Sequence, residues 1–443
     1  MKNLVTFITI FFCSASVYSQ VSWEKCYGGT DLDEIVDIKL TSDGGMILIG
    51  DTQSNDGDVT GFHEGNLKYA VDAWICKLDA AGNLQWQKSL GGFVVDYGNE
   101  IQQTSDGGYI IAATTYSIDG DIAGRTNQKH SDGWVVKFDP SGNIEWQKSL
   151  GGSEDDLLLV VVQTDDGGYM IAGENSSKEY SAGAGHGKTD WWLVRMDPSG
   201  KVLWEKFYGG SGIERLQTMI KVEGGYLLGG NTNSNDGDVH GNHSNSDDAW
   251  VVCVDESGKM LWQKCFGGNS PDVFYEIIET EDHGYLAVGN TCSDEGDATN
   301  NHIDVSINAL TLDAWAVKFD HNGNVQWHRN LGGIGEDEFY DVIEVPGKGY
   351  VMIGNSSSSD GDLVHNFGKT DIWLLEMNLS GKILRQKIFG GLSLEKGRHI
   401  LATPNGQYLI AGSLSSADGK YAKINHGNFD YWVLMAELDE LFK

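Results

Sequence analysis

Five short phrases place two acids around a glycine, and they are the residues of this chain best suited to chemistry. They read Asp56-Gly57-Asp58, Asp119-Gly120-Asp121, Asp236-Gly237-Asp238, Glu295-Gly296-Asp297 and Asp360-Gly361-Asp362. Paired carboxylates with nearby loop carbonyls could hold Ca2+, which takes roughly six to eight oxygens, and Asp56, Asp58, Asp236 and Asp238 are the candidate ligands. The same phrase also builds Asx-type turns, in which the side-chain oxygen accepts a backbone N–H. EF-hand spacing is absent, so both readings stand at this point. In three copies a histidine follows the second acid by five residues, as His63, His243 and His302. These imidazoles would either pack over the loop or ligate a transition metal. The candidate binding set is therefore Asp56, Asp58, His63, Asp119, Asp121, Asp236, Asp238, His243, Asp297, His302, Asp360 and Asp362.

Other chemistries find no footing. Of the six cysteines, Cys13 lies in an apolar N-terminal run, which leaves an odd number. Cys26 and Cys265 share one repeat position, Cys253 stands where other copies carry Lys77, Lys137, Arg195 and Lys318, and there is no Cys-x-x-Cys spacing. They read as buried small hydrophobes, neither a disulfide framework nor a metal site. No Ser/His/Asp or Cys/His constellation stands apart from the repeat, so no catalytic residue is assigned.

The elements that must position these loops are repetitive. Gly-Gly recurs at 28–29, 91–92, 151–152, 209–210, 267–268, 332–333 and 390–391, and Asp-x-Trp ends at Trp74, Trp134, Trp192, Trp250, Trp315, Trp373 and Trp432. A fixed period means that each unit buries its apolar face only against a neighbour. The second copy predicts strands at 99–104, 109–115, 132–139 and 144–150. Ser105-Asp106-Gly107-Gly108 and Pro140-Ser141-Gly142-Asn143 form its tight turns, and a long polar loop separates the middle strands. Four antiparallel strands in each of seven units predict an all-β, seven-bladed β-propeller. Blades are expected near 30–92, 93–152, 153–210, 211–268, 269–333, 334–391 and 392–443 plus 20–29. The first unit opens on a lone fourth strand (21–29) and the last stops at a third (429–438). The N-terminal strand is therefore expected to complete the last blade and latch the ring, removing open sheet edges.

Tryptophan marks the scaffold. Besides the third-strand set, Trp23, Trp86, Trp146, Trp204, Trp262 and Trp327 recur on fourth strands, with Arg385 in the remaining copy and Trp191 as the extra. Spread over every blade, they read as packing residues, and Trp146 is expected to be buried. The base two residues on (Lys25, Lys88, Lys148, Lys206, Lys264, Arg329, Lys387) reads as a charge guarding an outer edge. Second-strand glycines (Gly50, Gly173, Gly230, Gly289, Gly354, Gly412) predict close approach of neighbouring sheets.

Residues 1–19 combine Lys2, an apolar run from Leu4 to Phe12 and the small-residue end Val17-Tyr18-Ser19. They predict a cleaved secretory signal peptide, hence a secreted, periplasmic or cell-surface protein with no membrane insertion. The formal net charge of −33 argues against nucleic acid and anionic membrane as partners, since both require clustered Lys and Arg.

The unit resembles the bacterial β-propeller repeat of secreted proteins, through YGG, DGGYIIAATT and DAWICKLDAAGN in that order, over residues 21 to 443. The resemblance implies export and a propeller fold, and no defined activity. Relatives often carry a C-terminal sorting domain, which this chain is expected to lack. LDAAGNLQW (78–86) and MDPSGKVLW (196–204) are similar to quinoprotein-type propeller hairpins, without the vicinal Cys pair of those enzymes. Thr104, Asp106 and Gly108 match part of a sialidase box and fit better as a hairpin turn. In a propeller all the long loops share one face. The expectation is a non-enzymatic binding or scaffold protein holding a protein or glycan partner there. The alternative is an extracellular polysaccharide hydrolase or lyase using loop acids as acid and base. Departures from the template point to specificity, above all the third copy's loop, 297–313, and Phe62 with Tyr69.

Overall fold

The computed structural model describes residues 21–443 except 66–69, 123, 127–128, 179–184, 245, 305–308, 364 and 416–424. The signal-peptide segment, Tyr69 and parts of the third and fifth long loops lie outside the described residues. Seven four-stranded antiparallel sheets form the propeller. Blade 1 comprises Asp33–Leu40, Met46–Thr52, Asp72–Leu78 and Leu84–Leu90, and blade 2 comprises Asp96–Gln103, Tyr109–Thr115, Asp132–Phe138 and Ile144–Leu150. Blades 3 to 6 open at Asp156, Glu214, Asp272 and Asp337. Blade 7 joins Glu395–Ala402, Tyr408–Leu414 and Asp430–Ala436 to the N-terminal strand Trp23–Tyr27. Trp23 pairs with Met435 and Tyr27 with Tyr431, so the expected latch is present. A single helical turn, Leu438–Leu441, follows and buries Leu438 and Leu441. Sequence periodicity did not reveal it because one turn is too short to show a period. Among the described residues no helix is long and apolar enough to cross a membrane.

The cores are seams between blades. One cluster joins Ile47, Ile49 and Ile75 of blade 1 to Ile101, Ile111 and Trp134 of blade 2. The closing cluster joins Tyr431 and Val433 of blade 7 to Ile35, Leu48 and Trp74 of blade 1. All seven third-strand tryptophans are fully buried. Several donate across to the fourth strand, Trp74 to Gln87 at 2.7 Å and Trp250 to Gln263 at 2.8 Å. Trp191 packs against Trp250 of the next blade in a tilted arrangement, with ring centroids 4.3 Å apart. All five described cysteines are free thiols, and Cys26, Cys76, Cys253 and Cys265 are buried.

Two sequence expectations are corrected and a third is refined. Fourth-strand tryptophans are only half-buried: Trp146 lies against the turn at Gly200 of the next blade and meets Tyr169 edge-on at 5.8 Å. Bases on the same strand do not stand guard over an open edge. Lys25 donates to the Gly82 carbonyl (2.9 Å), Lys88 to Gly142 (3.0 Å), Lys264 to Gly323 (2.9 Å) and Arg329 to Gly381 (2.9 Å), each tying its blade to the next blade's outer turn. Second-strand glycines lie chiefly against the first strand of their own blade, and at Gly50 the neighbouring sheets also approach, through the Tyr431 hydroxyl of blade 7 and through Gly98 of blade 2. A β-bulge in that first strand, between Ile35 and Asp37 in blade 1, turns a carbonyl into the space that a side chain at Gly50 would need.

Each blade also buries carboxylates at its strand starts. Asp33 accepts from the Gly29 N–H (2.7 Å) and Ser54 (2.8 Å). Asp272 accepts from Gly268 (2.8 Å) and Ser293 (2.9 Å) in the same way. On the hairpin face, third-strand bases reach the first-hairpin acids, as in Lys77–Asp43 at 2.9 Å and Lys318–Asp282 at 2.9 Å. Where Cys253 replaces the base, the turn carries Glu223-Gly224 without the aspartate, so both partners change together.

Three outcomes follow. Deleting residues 21–29 should abolish cooperative unfolding or cause aggregation, because the edge of Asp430–Ala436 becomes exposed; an unchanged melting temperature in the truncated protein would refute the latch. Trp146→Ala should cost about 2 kcal/mol, below the range for a fully buried ring, because one side of the indole faces solvent. A shift in urea midpoint at constant slope measures it. The third outcome concerns pH. Burial raises Asp33 and Asp272 to about 6 despite their hydroxyl and backbone donors. The folded state thus holds protons that the unfolded chain releases above about 4, and stability should fall as pH rises through that window. Asp43 and Asp282 are held at about 2: burial opposes ionisation, but Thr and Lys hydrogen bonds outweigh it. Their contribution is present above about 4 and is lost as pH falls towards 2. The melting temperature should therefore peak near pH ~4, and a combined Asp33→Asn and Asp272→Asn variant should flatten the limb above it.

Candidate functional site

The expected acidic phrases all fall on one face, where second-to-third-strand loops meet fourth-to-first connections. Thr30 N–H donates to Asp56 (2.7 Å), Phe93 to Asp119 (3.0 Å), Ser211 to Asp236 (2.6 Å) and Ile334 to Asp360 (2.9 Å). The second acids accept from the Gly-Gly segment: Asp58 from Gly28, Asp121 from Gly91 and Asp238 from Gly209, each at 3.3 Å, and Asp362 from Gly332 at 3.2 Å. Asp297 joins this pattern through its own N–H, which donates to the Gly267 carbonyl at 3.0 Å. Gly57, at φ +64°, sits against the Gly28 carbonyl, a place without room for a side chain. The Ser211 N–H holds the exposed Asp236 carboxyl below the usual range.

The histidines turn the same way. His63, His243 and His302 each bond through Nδ1 to the aspartate that opens the third strand: Asp72 at 2.8 Å, Asp248 at 2.6 Å and Asp313 at 2.7 Å. The Nε2 of His63 lies 3.7 Å from Asp121 of blade 2, so the imidazole links adjacent loops. His302 is raised above its ordinary pKa: burial opposes this, but Asp313 and then Asp362 outweigh it. The structure thus brings the candidate residues together in pairs that span neighbouring loops. Among the described residues no group of three or more His, Cys, Asp or Glu side chains is gathered to hold a metal ion.

A second assembly, not anticipated from sequence, occupies the centre of the ring. Every first strand carries a β-bulge, and the residue following it is Asp37, Glu100, Val160, Thr218, Glu276, Asp341 and His399 in blades 1 to 7. Bulges re-aim side chains, and here they place this ring around the central channel. Several members hold the next blade. Asp37 accepts from Ile101 N–H (3.1 Å), Glu100 from Val161 (2.7 Å) and Asp341 from Ile400 (2.9 Å). His399 donates from Nε2 to the Val36 carbonyl (2.6 Å) and stands 3.3 Å from Asp341 through Nδ1. Lys39 Nζ lies 2.8 Å from Asp37 and 3.5 Å from Glu100.

Electrostatics in the channel split the acids. Burial pushes Glu100 up to about 7 against the pull of Lys39. Burial and then Asp341 push Glu276 up to about 7. Asp37 is held below the usual range: burial works against its ionisation, but Lys39 and His399 outweigh it. His399 is raised, with burial overcome by Asp341 and Asp37. Towards the loop face, Glu34 receives Lys396 (2.7 Å) and Arg398 (3.0 Å) across the closing seam. Tyr275 stacks on Tyr340 at 4.8 Å. The missed signal was an alignment of the seven copies at the fourth residue after the acid that opens each first strand. That position is polar in six copies, where a core strand would be apolar.

Exposed apolar side chains also break the template on the loop face. The residue after Gly-Gly is Thr30, Ser153, Ser211 or Asn269 in four connections but Phe93, Ile334 and Leu392 in the others. Ile334 is 53% exposed and Leu392 72%, with Phe367 (49%) and Leu394 nearby in the chain order of blades 6 and 7. Gly368, the residue after Phe367, abuts the backbone of Gly391 to Ser393, so the sixth long loop lies against the connection that carries Leu392.

No family model matches the chain, and no curated protein matches its sequence. Among solved structures, the WD40 domain of Neurospora crassa Pan2 superimposes with a TM-score of 0.50 at 10% identity, covering 92% of this chain and 91% of that one. A chain of the Drosophila Plexin A complex with Semaphorin 1b does so at 0.50 and 9% identity, covering 95% and 87%. At these identities the likeness establishes a shared propeller fold.

Proposed function

We propose that the chain is an exported, non-enzymatic binding or scaffold propeller whose acidic long-loop face holds a protein partner. The observation that carries this reading is the exposure of Ile334 and Leu392, where other copies carry small polar residues, together with exposed Phe367 and Leu394 in blades 6 and 7. Exposed aliphatic side chains replace small polar ones in two successive connections, and the acidic phrase Asp360-Gly361-Asp362 lies beside the first, where the Ile334 N–H donates to Asp360. An apolar centre within a polar, charged rim is the composition of a protein interface. A glycan would call for a planar aromatic platform, and this patch is mainly aliphatic. Calcium, if it binds, would have to share Asp56, Asp58, Asp236 and Asp238 with the backbone N–H groups they already accept.

Immobilised wild-type protein and an Ile334→Asp, Leu392→Asp variant should be compared for capture from the protein's own cell envelope and medium, with crosslinks mapped on any captured chain. Capture by wild type through residues of blades 6 and 7, lost in a variant of unchanged melting temperature, is the expected outcome. Equal capture by both proteins would refute the patch. Release of reducing sugar from a polysaccharide panel by the wild type would favour the hydrolase instead. In a calcium titration, a melting temperature that climbs with the logarithm of concentration would assign metal to the acidic phrases, and a flat response would leave them as turns.

A further inference from the structure

We propose that the central cavity is a binding site for an organic cation, an ammonium or guanidinium group carried on an apolar body. The cavity measures about 580 Å³ and has two unlike walls. Leu159, Val160, Met219, Ile220 and Ile278 from blades 3 to 5 supply an apolar arc. Asp37, Lys39, Glu100, Glu276, Arg398 and His399 supply a charged one. A largely apolar cavity with a few converging polar groups is the ordinary form of a small-molecule site.

The charged arc is short of positive charge. Lys39 is engaged by Asp37 and reaches Glu100 only at 3.5 Å. Arg398 turns to Glu34 at 3.0 Å and lies over the Tyr340 ring at 4.5 Å. His399 is held by Asp341 and the Val36 carbonyl. Among the described residues Glu276 has no base within ion-pair distance. The Thr218 hydroxyl (2.7 Å) and the Ile277 N–H (2.8 Å) both donate to its Oε1, which leaves Oε2 without a protein partner on the cavity wall. A carboxylate set in the cavity wall without a counter-ion is costly, and burial accordingly holds Glu100 and Glu276 at about 7.

An entering ammonium would make charge-assisted hydrogen bonds to Glu276 Oε2 and Glu100, and its apolar body would cover Leu159, Met219 and Ile220. An anion would meet three carboxylates. The net charge of −33 further raises the local concentration of cations. This site is separate from the loop-face patch, so either can fail without the other.

Titration calorimetry with octylamine, octanol and octanoate near pH ~8, where the carboxyls are ionised, tests the site. Octylamine should bind wild-type protein saturably and one to one, with octanol about tenfold weaker or more and octanoate silent. Glu276→Gln, which keeps an acceptor for Thr218, should weaken octylamine about tenfold or more. Ile278→Trp fills the cavity from its apolar wall with every carboxylate retained, and should abolish binding even if Glu276→Gln fails to fold. Octanol binding as tightly as octylamine, no saturable binding to wild type, or undiminished binding to Ile278→Trp would each overturn the proposal.

Discussion

No blade of this protein can cover its own faces, and that constraint organises the molecule. Strands two and three of each sheet are buried on both sides, so each sheet needs a neighbour on either flank. Seven seams result, and the seventh exists only because the N-terminal strand completes the sheet built by the C-terminal residues. Polar contacts reinforce the seams at three radii. Inner carboxylates accept from the next blade's first strand, second-strand residues such as Asp51 bond the next blade at Gly98 (3.1 Å), and outer bases reach the next outer turn. On the hairpin face the sense is reversed, with Gln103 accepting from Ser42 of the preceding blade and Gln163 from Ser105.

Much of this was legible in the residues. Asp-Gly hairpins located Tyr109–Thr115 and Ile144–Leu150 to the residue. The mismatched chain ends gave the closing strand. What stayed hidden depends on which neighbour a side chain meets. Lys88 looks like a solvent-facing charge on an edge strand until the next blade's Gly142 carbonyl is placed above it. Gly50 marks a close approach in either reading, but only the bulge at Ile35–Asp37 identifies the first strand of its own blade as the nearest neighbour. Trp146 and Trp134 look alike in the repeat, yet one covers a turn and the other fills a seam.

The candidate site shows the same division. The position of the acidic phrases on one face followed from topology alone. That Asp56 and Asp58 turn back to Thr30 and Gly28 depends on loop geometry that spacing does not encode. The channel ring was obscured for another reason: its members vary from blade to blade, so a search for shared residues passes over them. In a repeat protein the shared residues build the unit, and the varied ones carry individuality. Glu276, His399 and Leu392 belong to the second kind, and they mark the two places where this propeller departs from a generic ring.

Native-state hydrogen exchange read by mass spectrometry, in urea below the unfolding midpoint, tests the closed ring most directly. If the seams make one cooperative unit, peptides from the first strands of blades 1, 4 and 7 should share one opening free energy and lose protection together. Earlier loss in blades 7 and 1, with blades 3 to 5 still protected, would show that the closing seam is not integral and would contradict the central claim.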